Sequence, residues 1–432
     1  MALAWRLKKE GHQVWAYHAE PALDESMDGL LEKVPSMAAG IIKKPDFVLF
    51  DMVGHGEIAD RLKKAGIPVF GASELADDLE LKRDYGVEVS QKYGLKVPET
   101  EHFNSVGEAI RHVERNPMGY AIKLDGNISA ASSFVSKSAA EMVEYLVFLR
   151  ELGADKGTKF ILQALVKGIE ISTEVWFSKG KPILPFNGTL ENKKLLAGDL
   201  GPSSGCETSA VFPYLSSSPK IVEKTLKKLF PLFEKDQWSG PVDINAIVSE
   251  KDHEPYFLEF TMRMGYSAIY ALCAMIEDGI GDFLHGVATG TATRIPMRHS
   301  WGTSLRVSVP PYPLEIKDER LSREIYGSIA GQWVKAPEDK NIWLMNVKKN
   351  ERGRIVTAAV DGLVGECTGV GKSLYQAWKM SLDKFEQIKV ANKQGRIKDG
   401  VDRVYGDMRK LRDWKYDVPD PQPIAQKAST SF

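Results

Sequence analysis

Two acidic residues stand inside otherwise apolar strand-like runs: Asp243 in Pro-Val-Asp-Ile-Asn-Ala-Ile-Val and Glu259 in Tyr-Phe-Leu-Glu-Phe-Thr. A polar turn over 249–254 joins the runs, and a turn centred near 251–252 sets position 243 opposite about 260. Period-two alternation puts Asp243 and Asn245 on one face of the first strand, and Glu259 and Thr261 on one face of the second. Two carboxylates meeting on one side of a hairpin need a cation between them or a raised pKa. Hard oxygen ligands of this kind suit Mg²⁺, which is commonly held by one or two carboxylates together with substrate phosphates. Arg263 follows on the same face, where it could reach a phosphate. A solvated hairpin face with ordinary charges fits the same spacing.

Three further groups could carry chemistry. Lys123, in Tyr-Ala-Ile-Lys-Leu-Asp-Gly, stands late in an apolar strand, where an ammonium can meet a phosphate or simply snorkel at an edge. Gln163 and Glu170 flank a strand–bend–strand segment. Backbone at that bend could meet an adenine edge and Glu170 a ribose hydroxyl, or Glu170 could be an exposed strand residue. Gly198-Asp-Leu-Gly-Pro-Ser-Ser-Gly205 offers backbone N–H groups and hydroxyls, either as an anion nest or as a surface turn. Gly369-Val-Gly-Lys-Ser373 imitates the end of a P-loop, but the pattern needs glycine where Glu366 stands, so the segment reads as a helix cap near Lys372. The histidines show no metal spacing. Cys206, Cys273 and Cys367 form no CxxC pair, and so sparse a set fits a reducing cytosol.

The elements that position these groups alternate strand and helix at first: helix 2–10, strand 13–17, strand 46–52, helix 58–65 and strand 67–70. Buried apolar strands between helices predict a parallel sheet. Such a domain normally opens with a strand and a glycine loop; here that strand either precedes Met1 or has been lost. Helix 74–93 follows, then strand 120–124, helix 138–152 and strand 160–166. Segments 170–178 and 182–186 read as an antiparallel pair, 188–209 as a long loop, and 219–236 as a helix. After the 241–248 and 255–261 strands come strands at 303–309, 342–348 and 355–360 and a helix at 372–389. A proline-bearing tail over 413–432 reads as loosely packed.

With 432 residues, 43% hydrophobic and 27% charged, the chain has the composition of a multi-domain globular protein. Its net charge of −1 excludes recruitment of nucleic acid by bulk charge, leaving only a local patch. Its apolar runs are too short to span a membrane.

Taken together, the motifs resemble the ATP-grasp carboxylate–amine ligases, and most closely glycinamide ribonucleotide synthetase. The likeness runs through nearly the whole chain in a shared order. It includes Ala65-Gly-Ile-Pro-Val-Phe-Gly71, Ile122-Lys-Leu-Asp-Gly126, Glu191-Asn-Lys-Lys, Asp199-Leu-Gly-Pro-Ser-Ser-Gly205 and Leu258-Glu-Phe-Thr-Met-Arg263. The resemblance implies an α/β chain with an ATP-grasp fold. A doubly wound, parallel-sheet domain would precede it (1–72), the ATP-grasp region would span 73–298, and a small α+β C-terminal domain would follow (299–412).

The resemblance also implies roles. Lys123, with Lys82 or Arg83, would bind ATP phosphates; Gln163, Ala164 and Val166 would line the adenine, and Glu170 would hold the ribose. Asp243, Glu259 and Thr261 would hold Mg²⁺ or Mn²⁺. Arg263, Lys193 and Asp199 would be catalytic, and Gly201, Pro202, Ser203, Ser204 and Gly205 would contact substrate. The implied reaction is purine-pathway amide formation in the cytoplasm between an amino acid, glycine first, and an amine such as phosphoribosylamine. The expected state is a monomer or homodimer with small-molecule partners. The sequence also departs from the family. The glycine-rich lid is replaced by Asn127-Ile-Ser-Ala-Ala-Ser-Ser133, a metal-binding Asn by Thr261, an adenine-edge Glu by Gln163, and a first-domain Gly-Pro-Glu by Asp51-Met-Val-Gly-His-Gly56.

Overall fold

The structure, a computed structural model, describes residues 1–18, 25–124, 133–153, 159–314, 316 and 318–421. Helix α1 (Ala2–Lys9) buries Ala2, Leu3 and Leu7, and its Arg6 donates to the Glu277 carbonyl at 2.7 Å. Strands β1 (Trp15–Ala16) and β2 (Glu32–Lys33) pair in parallel. Helix α2 (Met37–Ile42) is capped by Ser36, whose hydroxyl accepts from the Ala39 N–H. Strand β3 (Val48–Leu49), helix α3 (Gly56–Lys64) and strand β4 (Val69–Phe70) follow, with β3 and β4 parallel. The parallel pairing expected of the first region is thus present, but as two separate two-stranded sheets.

The helix expected over 74–93 is two helices, α4 (Glu74–Leu81) and α5 (Arg83–Lys92). Lys82, at φ −98° and ψ 87°, breaks the run and re-aims the chain so that Arg83 opens α5. Gly86 permits the tight packing that follows: a Cβ there would lie 2.7 Å from the Leu79 carbonyl oxygen and 3.4 Å from Phe260. A four-stranded antiparallel sheet comes next, built from β5 (Thr100–Phe103), β6 (Tyr120–Leu124), β7 (Ser133–Val135) and β8 (Phe160–Ala164) in the order β5-β8-β6-β7. Helices α6 (Val106–Arg115) and α7 (Ala139–Glu151) cover it through Val113, Met142 and Leu146. The altered lid, 127–132, lies outside the described residues.

The body of the molecule is an eight-stranded sheet. Strands β9 (Gly168–Ser178), β10 (Lys181–Leu196) and β11 (Leu200–Pro213) form a long antiparallel meander. The segment 188–209, expected as a loop, is therefore mostly hairpin. Two of its glycines sit at the tip, where Gly198 adopts φ 73° and Gly201 φ 77°. The expected helix 219–236 is split into α8 (Lys220–Lys224), a 3₁₀ turn (Leu226–Leu229) and α9 (Phe230–Asp236), whose first turn carries Pro231.

Strands β12 (Gly240–Ser249) and β13 (Pro255–Thr261) form the expected hairpin. Helix α10 (Ala268–Ile276) is apolar nearly all round and is correspondingly buried, with α11 (Ile280–Thr289) beside it. Then come β14 (Trp301–Ser308), α12 (Glu319–Ile329), β15 (Ile342–Leu344), the small β16 (Val347–Lys349) and β17 (Ile355–Thr357) pair, β18 (Leu363–Gly371), α13 (Leu374–Gln387) and α14 (Asp402–Asp413). Ser373 caps α13, the role read for the P-loop imitation. The sheet order is β13-β12-β9-β10-β11-β14-β18-β15. The start of the expected tail packs, with Tyr416 and Val418 buried and the Tyr416 hydroxyl donating to the His253 carbonyl. Residues 422–432 lie outside the description.

The two faces of this sheet differ. On one, Ile171, Val175, Phe177, Val242, Ile244 and Val248 alternate inward to build the main core. On the other, the registers align Thr261, Asp243, Glu174 and Asn187 in one row, and Glu259, Asn245, Ser172 and Thr189 in the next. That polar face holds the candidate residues Asp243, Glu259 and Thr261.

Candidate active site

A β-bulge decides which carboxylates share the face. Asp243 pairs with Thr261 and Asn245 with Glu259, but Ala246 pairs with Phe257, so the ladder slips by one residue beside Leu258. With an unbulged turn, Asp243 would face position 260 and Glu259 would point into the core. The bulge sets Glu259 on the side of Asp243, Asn245 and Thr261.

Glu259 is the centre of a cationic cluster. Arg83, from the start of α5, donates through Nη1 to Glu259 Oε2 at 2.9 Å. Lys123 on β6 donates to the Leu258 carbonyl at 3.0 Å. Burial pushes Lys123 down to about 8, against the pull of Glu259. Burial also works to raise Glu259, but the charges of Lys123, Arg83 and Lys193 overcome it and hold the carboxyl at about 2. Lys193 on β10 donates to Glu170 Oε1 on β9 at 2.6 Å. Burial opposes the charge on Lys193, yet Glu170, Glu191 and Glu259 together raise its pKa. Leu258, Phe257 and Ile161 floor a small cleft that includes Arg83, Lys123 and Glu259.

Asp243 is buried in the next row. The Ser172 hydroxyl donates to its Oδ2, while Oδ1 has no partner. Burial, and then the neighbouring Glu174, raise its pKa well above the carboxylate range. Glu174 accepts from the Trp176 indole at 2.6 Å and from Asn187 at 2.9 Å. Asp243, Glu259, Asn245 and the Thr261 hydroxyl are hard oxygen donors on one face, and the Asp243 Oδ1 oxygen is buried without a hydrogen-bond partner. This set suits Mg²⁺.

The other expected residues fall as follows. Gln163 is buried on β8, its amide donating to the Thr100 hydroxyl, with Oε1 unpartnered. Ala164 ends that strand and Val166 lies in the link to β9. Lys82 points away, exposed, paired with Asp78 at 2.6 Å. Arg263 is engaged by Glu80 at 2.9 Å and stacks 4.4 Å from the Tyr266 ring, and the same Glu80 accepts from the Met262 N–H. Asp199 stands at the hairpin tip, tied to Arg396 at 2.9 Å and Arg403 at 3.6 Å. Gly201 and Pro202 are exposed on that tip. Ser203 and Ser204 turn their hydroxyls toward the Lys193 carbonyl at 3.5 and 3.4 Å, and Gly205 leads back into β11. The structure thus gathers Arg83, Lys123, Glu170, Lys193, Asp243, Glu259 and Thr261, and leaves Lys82 and Asp199 outside.

Sequence reasoning missed Glu191, Glu207, Arg306 and Glu366, which extend the polar face across β10, β11, β14 and β18. Glu191 lies opposite Ser209, Ser209 opposite Ser304, and Arg306 opposite Glu366. The available signal for Glu207 was a charged residue just before the strand-like run Ala-Val-Phe at 210–212.

Residues 82–267 match the family described as phosphoribosylglycinamide synthetase, ATP-grasp (A) domain. The phosphoribosylamine–glycine ligase of Lactococcus lactis is 22% identical over 339 residues, covering 77% of both chains. That of Neisseria meningitidis serogroup B is 21% identical over 422 residues, covering 93% of this chain and 96% of its own. Among solved structures, Thermotoga maritima phosphoribosylamine–glycine ligase superposes with a TM-score of 0.70 at 21% identity, covering 92% of this chain and 96% of that one. Campylobacter jejuni biotin carboxylase superposes with a TM-score of 0.62 at 13% identity, covering 96% and 95%. Residues 82–267 are therefore similar to the ATP-grasp domain of this family, and the chain has the ATP-grasp fold.

Proposed function

We propose that this chain is an ATP- and Mg²⁺-dependent ligase that joins an amino-acid carboxylate to an amine through an acyl phosphate, with glycine and phosphoribosylamine as the first pair to test. The observation that carries this reading is the convergence of Arg83, Lys123 and Lys193 on Glu259 across the polar face of the central sheet. Three cations around one carboxylate form a cradle for a polyphosphate.

Arg83 is bonded to Glu259 and can exchange that carboxylate for a phosphate oxygen. Lys123, held between strand and cleft, is placed to meet another. Glu259 and Asp243, with Asn245 and Thr261, would hold Mg²⁺. When bound, Mg²⁺ supplies further neutralisation of phosphate charge. In the first step the substrate carboxylate takes the γ-phosphoryl group and ADP leaves. In the second, the amine attacks the acyl carbon, forming the C–N bond and expelling phosphate. Neither step requires a side-chain nucleophile, so positioning and charge neutralisation carry the chemistry.

The acceptor could also be a different amine, such as one on a modified nucleotide. The replaced lid over 127–133 and the first-domain segment 51–56 favour that variant. ADP release should require ATP, Mg²⁺, a carboxylate and an amine together. Glycine with phosphoribosylamine giving no release while another amine does would move the assignment to the variant. ATP binding without release on any substrate set would mark a nucleotide-binding relative that has lost turnover.

A further inference from the structure

The hairpin that carries Lys193 is gripped by a segment far outside residues 82–267. Lys193 stands where the β10–β11 ladder slips: Asn192 pairs with Thr208, but Lys194 pairs with Ser203. A two-residue step on one strand thus meets a five-residue step on the other, and the regular ladder does not fix the residue inside it. The Ser203 and Ser204 hydroxyls reach the Lys193 carbonyl only at 3.5 and 3.4 Å, which is long for a hydrogen bond. Yet its ammonium lies 2.6 Å from Glu170. Another support must set the backbone.

That support is a strap, residues 396–400, between α13 and α14. Arg396 is 2% exposed. Its Nε and Nη2 donate to the two oxygens of Asp399 at 2.8 and 2.7 Å, a fork that fixes the guanidinium plane. Its Nη1 crosses to the hairpin, donating to the Lys194 carbonyl at 3.2 Å and to Asp199 at 2.9 Å. Asp399 also accepts from the Gly198 N–H at 2.8 Å. On the other flank of Lys193, the buried Asn192 amide donates to the Gly400 carbonyl at 2.9 Å. The Thr208 hydroxyl opposite donates to the same carbonyl at 3.3 Å. That carbonyl is itself held firmly, because Gly400 is packed on Trp378 so closely that a Cβ would lie 2.2 Å from the indole. Both neighbours of Lys193 are therefore tied to one short strap.

We infer that Arg396 is a positioning residue. Through the Lys194 carbonyl, with Gly400 holding the Asn192 side, it fixes the Lys193 backbone and keeps the ammonium in the cationic cluster. The inference rests on the ligase reading for what that ammonium meets, a phosphate of ATP. It adds a residue of the C-terminal region that sets the nucleotide site. Asp199 is the dispensable part of the strap, since Arg396 keeps Asp399 and the Lys194 carbonyl without it.

The test uses the full chain and begins without nucleotide. Trace acetylation with acetic anhydride, read by mass spectrometry, reports whether the Lys193 amine stays paired with Glu170. Arg396→Lys keeps the charge and loses the fork. It should speed acetylation of Lys193 about 5-fold, the factor one hydrogen bond contributes, and leave the distant Lys181 and Lys235 unchanged. The affinity for a non-hydrolysable ATP analogue with Mg²⁺ then closes a double-mutant cycle. Arg396→Lys should weaken binding about 5-fold in the natural background and not at all in Lys193→Gln, because residues that act through one another are not additive. A merely structural role would give the same loss in both. An unchanged Lys193 rate, or equal losses in the two backgrounds, overturns the inference. Should Arg396→Lys fail to fold, Asp399→Asn, which loosens the same fork from its other side, carries the comparison. An analogue that does not bind the natural protein defeats the ligase reading, whereas a faster Lys193 reaction in Arg396→Lys still upholds the positioning.

Discussion

The two ends of one sheet face are built on opposite principles. Around Glu259, charges are interlocked: Arg83 pairs with Glu259 and Lys193 with Glu170, with Lys123 beside them, and the side chains of Arg83, Glu259, Lys193 and Glu170 keep about a third of their surface exposed, at 33, 36, 35 and 35%. Around Glu207, charge is in deficit: Glu207 and Glu366 share a single guanidinium and neither is exposed. The first end can exchange partners at little cost, because its pairs are about a third exposed. The second holds its carboxylates out of water, where breaking a pair leaves an uncompensated charge. A partly exposed cluster that includes Arg83, Lys123 and Lys193 suits a polyphosphate.

The comparison is most open to attack at Glu259. Glu259→Gln should cut Mg²⁺-dependent ATP turnover on the order of 100-fold or more while leaving the melting temperature nearly unchanged; near-normal turnover would remove Glu259 from the site. Lys123→Gln should weaken ATP binding by about 10-fold. Its ammonium lies at about 8 and is lowered from its ordinary value, so it is partly neutral above pH 8. Phosphate contact restores the charge, and ATP binding at pH 8.5 should therefore take up protons in calorimetry across buffers. Lys123→Gln should abolish that uptake, and uptake that persists would place the titrating group elsewhere.

At the other end, the Glu207 pKa is raised in the folded protein relative to the unfolded chain. Both forms are protonated below the unfolded value, so acid pH carries no penalty. As pH rises through the unfolded value and then the folded value near 7, the unfolded chain ionises first and the fold loses stability, by about 3 kcal/mol at full effect. Glu207→Met should therefore stabilise the ligand-free protein more at pH 8 than at pH 5, as read by denaturant midpoints. An equal effect at both would mean that Glu207 is already compensated. The smallest effect is expected at the hairpin tip, where Asp199→Ala removes a pair with the buried Arg396, which keeps Asp399, and an exposed pair with Arg403. It should cost roughly 1 kcal/mol or less and leave kcat intact; a large loss of kcat would show that the tip closes onto substrate.

How much of this was legible in the chain depends on which forces set each part. The β12–β13 hairpin followed from alternation and a polar turn, and its two carboxylates were found. Their shared face, however, depends on the bulge beside Leu258, which period-two reasoning does not contain. The break at Lys82 that delivers Arg83 was hidden inside a good helical pattern, since a single residue's dihedrals decide it. Glycines at 198, 201 and 205 made a hairpin resemble a loop, and so concealed Glu207. Arg306 and Glu366 meet Glu207 only through pairing between strands distant in sequence, which single-strand periodicity cannot show. The motifs, by contrast, keep their order along the chain, and through them the ATP-grasp fold could be read.

The most direct measurement is ADP release by the purified chain with ATP, Mg²⁺, glycine and a primary amine, omitting each in turn, alongside the Glu259→Gln variant. The account predicts release that needs all four components and falls on the order of 100-fold in the variant. Release that is indifferent to carboxylate and amine, or equal in Glu259→Gln, would contradict it.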